Sequence, residues 1–575
     1  MIMNGAAFPG CAYSYCDGPV IRSGRQYHHR KGEGMRRIIS LATCLGVAGL
    51  LAGSLAVPAA AGSASSGSTS SGSPPAWAGN PRLDGAAEVA ANVIQGIGPT
   101  TSLPLGTSPG CPAEKSTTGN VQVNCVAEDG TSPQNTQSET SVAVSGQKVV
   151  VGYNDSLVCC FPALNFTAYS VSNDGGKSFT DMGTLPFRPD VQPIGDPAVA
   201  RDDHGNFYFA SLALGSAGFG THSKIAFYEM PAGSNTFKLV SVPVDVGSGE
   251  LFFADKEYLA VGSDANGQLH FYITWTSFSG NPASPIMLTQ STDGVHWTTT
   301  MVSSSSACAQ GSNPVPAGGT VYVSWEQSVP AGCTNFNITA ANEMMATAAA
   351  GTGTVSRITT IAAVNGSGDK IVACNNASDL REVIETQPGH DVRNFEMPST
   401  TIDPSGTLYA VWNDRPAGLG GGDSNATRIF LSYSLDGNKT WSTPQVISGA
   451  TSTTVMSDRF QPWITAGATG LHAMWYERVA GSTVDLIQTD KEDLSFATSN
   501  SAPAPGTETK LSSVKFPVVQ TNPQQDPVIS FCYMGDYNNI ASNGTTQFVT
   551  WGDNRNRVTT TNGVENQPDV FLQRY

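Results

Sequence analysis

Two kinds of residue recur at matching places along this chain and could do chemistry together. Carboxylates stand at the starts of one set of apolar runs: Glu139, Asp196, Asp255, Glu257, Glu396, Asp458 and Asp536. Others close a second set of runs, mostly after an aromatic residue: Asp155, Glu326, Asp414, Glu477 and Asp553. Three of these are followed by arginine, as Arg415 in "WNDR", Arg478 in "WYER" and Arg555 in "WGDNR"; Arg393 and Arg459 lie near other starts. Cleaving a glycosidic bond needs a group that protonates the leaving oxygen and a second group across the sugar ring. Carboxylates crowded together raise one another's pKa and so supply both states. Guanidiniums can hold an anionic sugar by paired hydrogen bonds. Tyr537 in "GDYNN" and Tyr258 in "DKEY" bring hydroxyls to the same level. On position, Asp196, Glu396, Asp536 and Tyr537 are the catalytic candidates, and Arg415, Arg459, Arg478 and Arg555 the substrate-binding candidates. The competing reading of the arginines is a set of ion pairs that tie the structure together.

The elements that must carry these residues form a repeat. Segments such as "SETSVAVSGQKVVVGYND", "EMPSTTIDPSGTLYAVWND" and "GDYNNIASNGTTQFVTWGD" each hold a short apolar strand, a tight turn usually containing Gly, and a second strand rich in aromatics. Seven such copies start about 55–85 residues apart, the spacing of propeller blades. Runs such as "SKIAFYEM", "TRIFLSYS" and "DVFLQRY" supply third strands, and "FTDMGTL" and "WSTPQVI" fourth strands. The pattern predicts an all-β, seven-bladed β-propeller over residues 121–575, with a six-bladed ring or two packed sandwiches as the alternatives. Because Tyr575 follows a third strand, the missing fourth strand is expected from "VQVNCVA" near residue 121, which would close the ring. In a blade, the start of the first strand and the end of the second share one face, so the residues above are expected around one mouth of the central channel.

"SNDGGKSF" (172–179), "STDGVHW" (291–297) and "SLDGNKTW" (434–441) follow third strands, 119 and 143 residues apart. They resemble the Asp-box, or BNR repeat, of the sialidase superfamily, and the resemblance covers Ser138 to Tyr575. Asp and Ser can hydrogen-bond across a tight turn that Gly permits, so Asp174, Asp293 and Asp436 read as structural. The resemblance implies a sialidase-like glycoside hydrolase, with the boxes on the face away from the active site. It also implies a tyrosine nucleophile assisted by a glutamate, an aspartate acid/base, and arginines on a substrate carboxylate. The Phe-Arg-Ile-Pro pattern of that family has only a partial counterpart, "FRP" at 187–189, and six blades are usual there. No catalytic residue is therefore transferred by motif; the candidates rest on position.

Met35-Arg36-Arg37, an apolar stretch and "PAAAGS" read as a secretory signal peptide cut near Ala61, with translation starting at Met35. A membrane anchor is the alternative. Residues 62–120 read as a linker and a surface segment rich in Ser, Gly and Pro. Eight of the eleven cysteines follow the expected cut, which suits disulfides, and Cys308–Cys333 is the favoured pair. Residues 1–61 hold six basic and two acidic residues; beyond them 24 basic and 44 acidic residues leave a balance of −20. Such a surface repels nucleic acid and anionic membranes.

The function expected is a secreted glycoside hydrolase acting on a glycan, with an anionic sugar in view. The alternatives are a non-catalytic propeller that binds glycan or protein, and a polysaccharide lyase drawing its base from Tyr, His222, His390 or His472. No cofactor is expected; calcium is allowed as a structural ion in the channel. The partner expected is a glycan, and the chain is expected to be a monomer.

Overall fold

The computed structural model describes residues 135–156, 165–216, 221–329, 341–365, 370–374, 380–387, 390–415, 426–449, 457–478, 486–518, 532–560 and 563–575, with parts of 74–125. They belong to one compact unit, Ser68–Tyr575. The proposed signal peptide and Met35 start lie outside the described residues. Seven antiparallel blades follow one another, and their innermost strands pack in a closed cycle. These strands are Gln137–Ser145, Gln192–Arg201, Phe252–Ser263, Ala309–Ala317, Ser399–Ile402, Arg459–Ala466 and Asn539–Ser542. The fold is a seven-bladed β-propeller.

Closure follows the sequence expectation. Val121–Gln122 pairs with Gly563–Arg574 as the outer strand of blade 7, Val121 opposite Leu572 and Gln122 opposite Phe571. The N–H of Val123 extends the ladder to the carbonyl of Val570. An N-terminal strand thus completes the four strands of the last blade and ties the two ends of the chain together.

Alternation along the second strands explains why these sequences make blades. Trp325, Trp412, Trp475 and Trp551 occupy corresponding places in blades 4 to 7 and are all 0–1 % exposed. Each fills space beside a neighbouring blade, while the next residues carry the polar groups of the mouth. Where blades press closest a side chain cannot fit: a Cβ on Gly152 of blade 1 would lie 2.7 Å from Phe209 of blade 2.

The recurrent Ser-x-Asp-Gly loops are turns joining third and fourth strands. The Asp174 carboxylate accepts from the N–H groups of Lys177 and Ser178 (2.9 and 3.0 Å) and from the hydroxyls of Ser172 and Ser178 (2.8 and 2.6 Å). Burial opposes ionisation of this carboxyl, but those donors hold it down at about 2. Asp436 has the same set of donors and is held at about 2. Gly175 donates its N–H to the carbonyl of Gln147, in the hairpin between first and second strands, so these turns lie at the hairpin end of the blade, away from the strand starts.

Two features lie outside the repeat. A three-stranded sheet, Lys370–Ala373, Leu380–Gln387 and His390–Arg393, is inserted between blades 4 and 5. A disulfide, Cys374–Cys532, ties it to the segment entering blade 7, and Arg393 donates its N–H to the carbonyl of Cys532. Cys125 and Cys308 are also disulfide-bonded, while the expected partner Cys333 lies outside the described residues. The second feature is the arm at 74–94, within the segment expected to wind over the surface. Trp77, Leu83, Ala87 and Ala90 are buried in the core of blades 2 and 3, with Trp77 stacked on Phe253 at 4.5 Å. Among the described residues no helix is long and apolar enough to cross a membrane.

Candidate functional site

The innermost strands are deformed at one repeated place. In blades 1, 2, 3, 4 and 6 the register slips between Ser138 and Ser141, Gly195 and Ala198, Asp255 and Tyr258, Gln310 and Asn313, and Phe460 and Trp463. Each slip holds a residue in the left-handed region: Glu139 (φ 51°), Asp196 (55°), Lys256 (53°), Gly311 (67°) and Gln461 (50°). A bulge turns a side chain out of the normal alternation. For residues other than Gly the conformation costs about 1–3 kcal/mol each and persists only where surrounding contacts enforce it. Here the bulges send polar side chains into the middle of the ring.

Those side chains form a closed charge network. Lys256 Nζ of blade 3 lies 3.0 Å from Asp536 Oδ2 and 3.7 Å from Glu139 Oε1 of blade 1. Arg393, from the inserted sheet, donates to the same Asp536 oxygen at 2.8 Å. Asn154 donates to Glu139 at 2.9 Å and accepts the N–H of Asp196 at 3.1 Å. Gln461 donates to the carbonyl of Gly535 at 2.7 Å. Glu139, Asp196, Asp536 and Arg393 are 0–2 % exposed. Tyr537 lies beneath the ammonium of Lys256, 4.5 Å from the ring centre, and its hydroxyl donates to the carbonyl of Pro197 at 3.3 Å. Burial, and then Glu139, Asp196 and Glu257, push its phenol well above the usual range.

Next to this network is a small cavity of about 20 Å³. Tyr258, Trp463 and Tyr537 form its aromatic wall, with ring centres 5.0–6.3 Å apart. Lys256, Glu257, Ser312 and Asn313 supply its polar atoms.

A second group of carboxyls forms at the mouth ends of blades 4 and 5. Across blade 4, Gln310, Glu326 and Glu343 stand side by side on successive strands. Glu396 and Asp414 of the blade 5 region act on them electrostatically. Burial, then Glu326, Glu396 and Asp414, push Glu343 well above the ordinary carboxyl range. Burial likewise pushes Asp414 up to about 7, although the N–H groups of Arg415 and Asn365 bond to it and oppose the shift. The arm at 74–94 covers this group. Arg82 places its guanidinium 2.5 Å from Glu326 Oε1, its carbonyl accepts from Gln310 at 2.7 Å, and the carbonyl of Leu83 accepts from Arg393 at 2.6 Å.

Of the four catalytic candidates, Asp196, Asp536 and Tyr537 come together in the channel, and Glu396 stands with the mouth carboxyls. Three arginine candidates sit in ion pairs of their own blades: Arg478 with Asp458 (2.8 Å), Arg459 with Glu477 (3.1 Å), and Arg555 with Asp553. Arg415 contributes its N–H to Asp414. His222 and His472 pair with Asp245 and Asp493, and the side chain of His390 lies outside the described residues. Glu477, Asp490 and Glu508 bring carboxylate oxygens within 4.8 Å of one another, a spacing that could hold a metal ion. Arg459 bonds two of them, Glu477 and Glu508. Burial and the neighbouring Glu477 push the carboxyl of Asp490 up to about 9, so it holds a proton.

Lys256, Gln461, Glu343 and Arg82 were not among the candidates. The first two could have been found by aligning the repeats, since "SET", "GDP", "DKE", "QGS" and "FQP" occupy one register.

The fold and the mouth thus define a seven-bladed propeller with an acidic, internally covered channel mouth. No protein-family model and no curated protein matches the sequence. Among solved structures, the chain is similar to an α-L-arabinofuranosidase of Fusarium graminearum in complex with an iminosugar inhibitor: 11 % identity, 80 % of this chain and 98 % of that one, TM-score 0.38. It is also similar to a Penicillium chrysogenum α-L-arabinanase complexed with arabinobiose (9 %, 82 % and 98 %, 0.35) and to Trypanosoma rangeli sialidase in complex with the inhibitor DANA (9 %, 67 % and 58 %, 0.35). At these identities the chemistry has to be argued from this chain's own residues.

Proposed function

We propose that the protein is a glycan-acting propeller, a glycoside hydrolase whose site is the mouth group of blades 4 and 5. The observation that carries this reading is the gathering of Glu326, Glu343, Glu396 and Asp414 close enough to act on one another, with Asp414 balanced at about 7. In this reading Asp414 gives its proton to the glycosidic oxygen as the bond to the anomeric carbon breaks. Water adds its hydroxyl to that carbon and yields its proton to Glu396. The buried network of Asp536, Lys256, Arg393 and Tyr537 positions the segments that frame the mouth. The work is done outside the cytoplasm, which the signal-like segment and the Cys374–Cys532 bond support.

The test is a panel of neutral, cationic and anionic glycans incubated with the secreted chain and with an Arg82→Ala variant, products being read by mass. Hydrolysis of one class is expected, with kcat lowered about 10²–10⁴-fold by Asp414→Asn. A second reading, glycan binding without turnover, is favoured by the arm over the mouth, where Arg82 pairs with Glu326. Retention on a glycan array with no product from either protein would establish it against the first.

A further inference from the structure

The mouth group also bears on what it recognises, an inference that rests on the mouth being the site. Among the described residues, neither carboxyl oxygen of Glu343 meets a hydrogen-bond donor, nor does Oε2 of Glu326, although both side chains are 0 % exposed. Leaving such groups buried without donors costs roughly 1–3 kcal/mol or more each. They stand side by side on neighbouring strands, and the charges of Glu396 and Asp414 act on Glu343 and that of Glu396 on Glu326. What these oxygens lack is a compact group with several donors and a positive charge, which is a description of an ammonium.

The chain itself puts such a charge there. Arg82 reaches Glu326 from an arm held by Gln310 and Arg393, and its guanidinium also offsets the charge around Glu343. An anionic sugar would meet a poor reception, because Arg459, Arg478 and Arg555 are already bound to carboxylates. A balance of −20 beyond residue 61 draws polycations towards the molecule.

We propose that the mouth takes a glycan bearing free amino groups, a glucosamine-type polymer, and that Arg82 occupies the place of a sugar ammonium while the arm covers the mouth. In this reading a cationic sugar takes the place of the anionic one expected from the sequence. Arg82 acts as an internal competitor, and a substrate has to displace it.

The experiment is calorimetric titration of the secreted chain, Arg82→Ala and Glu343→Gln with a glucosamine oligomer, its N-acetylated counterpart and a uronic-acid oligomer, at physiological salt. Arg82→Ala is expected to bind the glucosamine oligomer about tenfold more tightly than the parent, and the N-acetylated form at least about tenfold more weakly. Glu343→Gln, which keeps size and shape, is expected to lose about tenfold for the amine alone. Equal affinity for the amine and N-acetyl forms, a preference for the uronic acid, or tighter binding of an arginine-rich peptide would each overturn the proposal. Amine-specific binding without cleavage would defeat the hydrolase reading and leave this one standing. Cleavage of a neutral or anionic glycan, without affinity for the amine, would do the reverse.

Discussion

Lys256 and Asp536 lie 280 residues apart in sequence, on blades 3 and 7, and meet at 3.0 Å in the middle of the ring. Around them Glu139 and Arg393 complete a buried set of two cations and two carboxylates. The network links blades 1, 3 and 7 with the inserted sheet, so it braces the ring across its axis rather than along the rim.

Replacing Lys256 by methionine keeps the stem but removes the ammonium that faces both carboxylates. Arg393 still reaches Asp536, and Glu139 retains Asn154 and the N–H of Asp536 but loses its facing cation. Breaking one partner out of a buried ionic set costs about 3–5 kcal/mol. Urea unfolding of Lys256→Met is expected to show a midpoint lowered accordingly, with an unchanged slope. A midpoint at the parental value would mean that the network does not brace the ring.

The Cys374–Cys532 bond closes a separation of 158 residues and anchors the sheet that delivers Arg393. Removing a native disulfide costs about 2–5 kcal/mol, mostly through the freedom regained by the unfolded chain. The double Ser variant is expected to unfold at lower temperature by that amount. If Arg393 owes its place to this bond, adding Lys256→Met to the double Ser variant should cost more than the sum of the two, which a double-mutant cycle measures.

The propeller, its blade number and its closure by residues 121–122 were legible because they are repeated: Trp325, Trp412, Trp475 and Trp551 mark one register and the Asp174-type turns another. The mouth was legible as a face, since strand pairing puts Gln137 opposite Asp155 and Arg459 opposite Glu477. What could not be read lies outside the repeat. Arg82 belongs to an arm with no periodicity, and its partner Glu326 is 244 residues away. The wide gap between the starts of blades 4 and 5 conceals a sheet that obeys no blade pattern. The bulges were hidden for a different reason: a left-handed Glu139 or Lys256 is set by its surroundings, and residue type alone argues against it.

The Asp174 and Asp436 turns carry a pH signature. Both carboxyls are held at about 2 when folded, against an ordinary 3.8. The folded value is the lower one, so their contribution to stability is complete above pH 4 and is lost as pH falls from about 4 to 2. Asp174→Asn and Asp436→Asn are each expected to lower stability at pH 6 by an amount that disappears at pH 2. Equal destabilisation at both values would assign the effect to packing instead.

At Asp414 the sign is reversed. Burial raises its folded value to about 7 from 3.8, so below pH 3.8 the carboxyl is protonated in both states and costs nothing. As pH rises from 3.8 to 7 the unfolded chain releases the proton while the fold retains it, and stability declines. Above 7 the cost is constant, on the order of 4 kcal/mol from a shift of this size. Asparagine does not titrate, and its carbonyl oxygen can still accept the N–H groups of Arg415 and Asn365. Asp414→Asn is therefore expected to be more stable than the parent at pH 8, and equal to it at pH 3, in paired urea titrations. This is the opposite of what most buried substitutions do. An Asp414→Asn protein less stable than the parent at pH 8 would show that the carboxylate is ionised and paired, and would remove it as the proton donor.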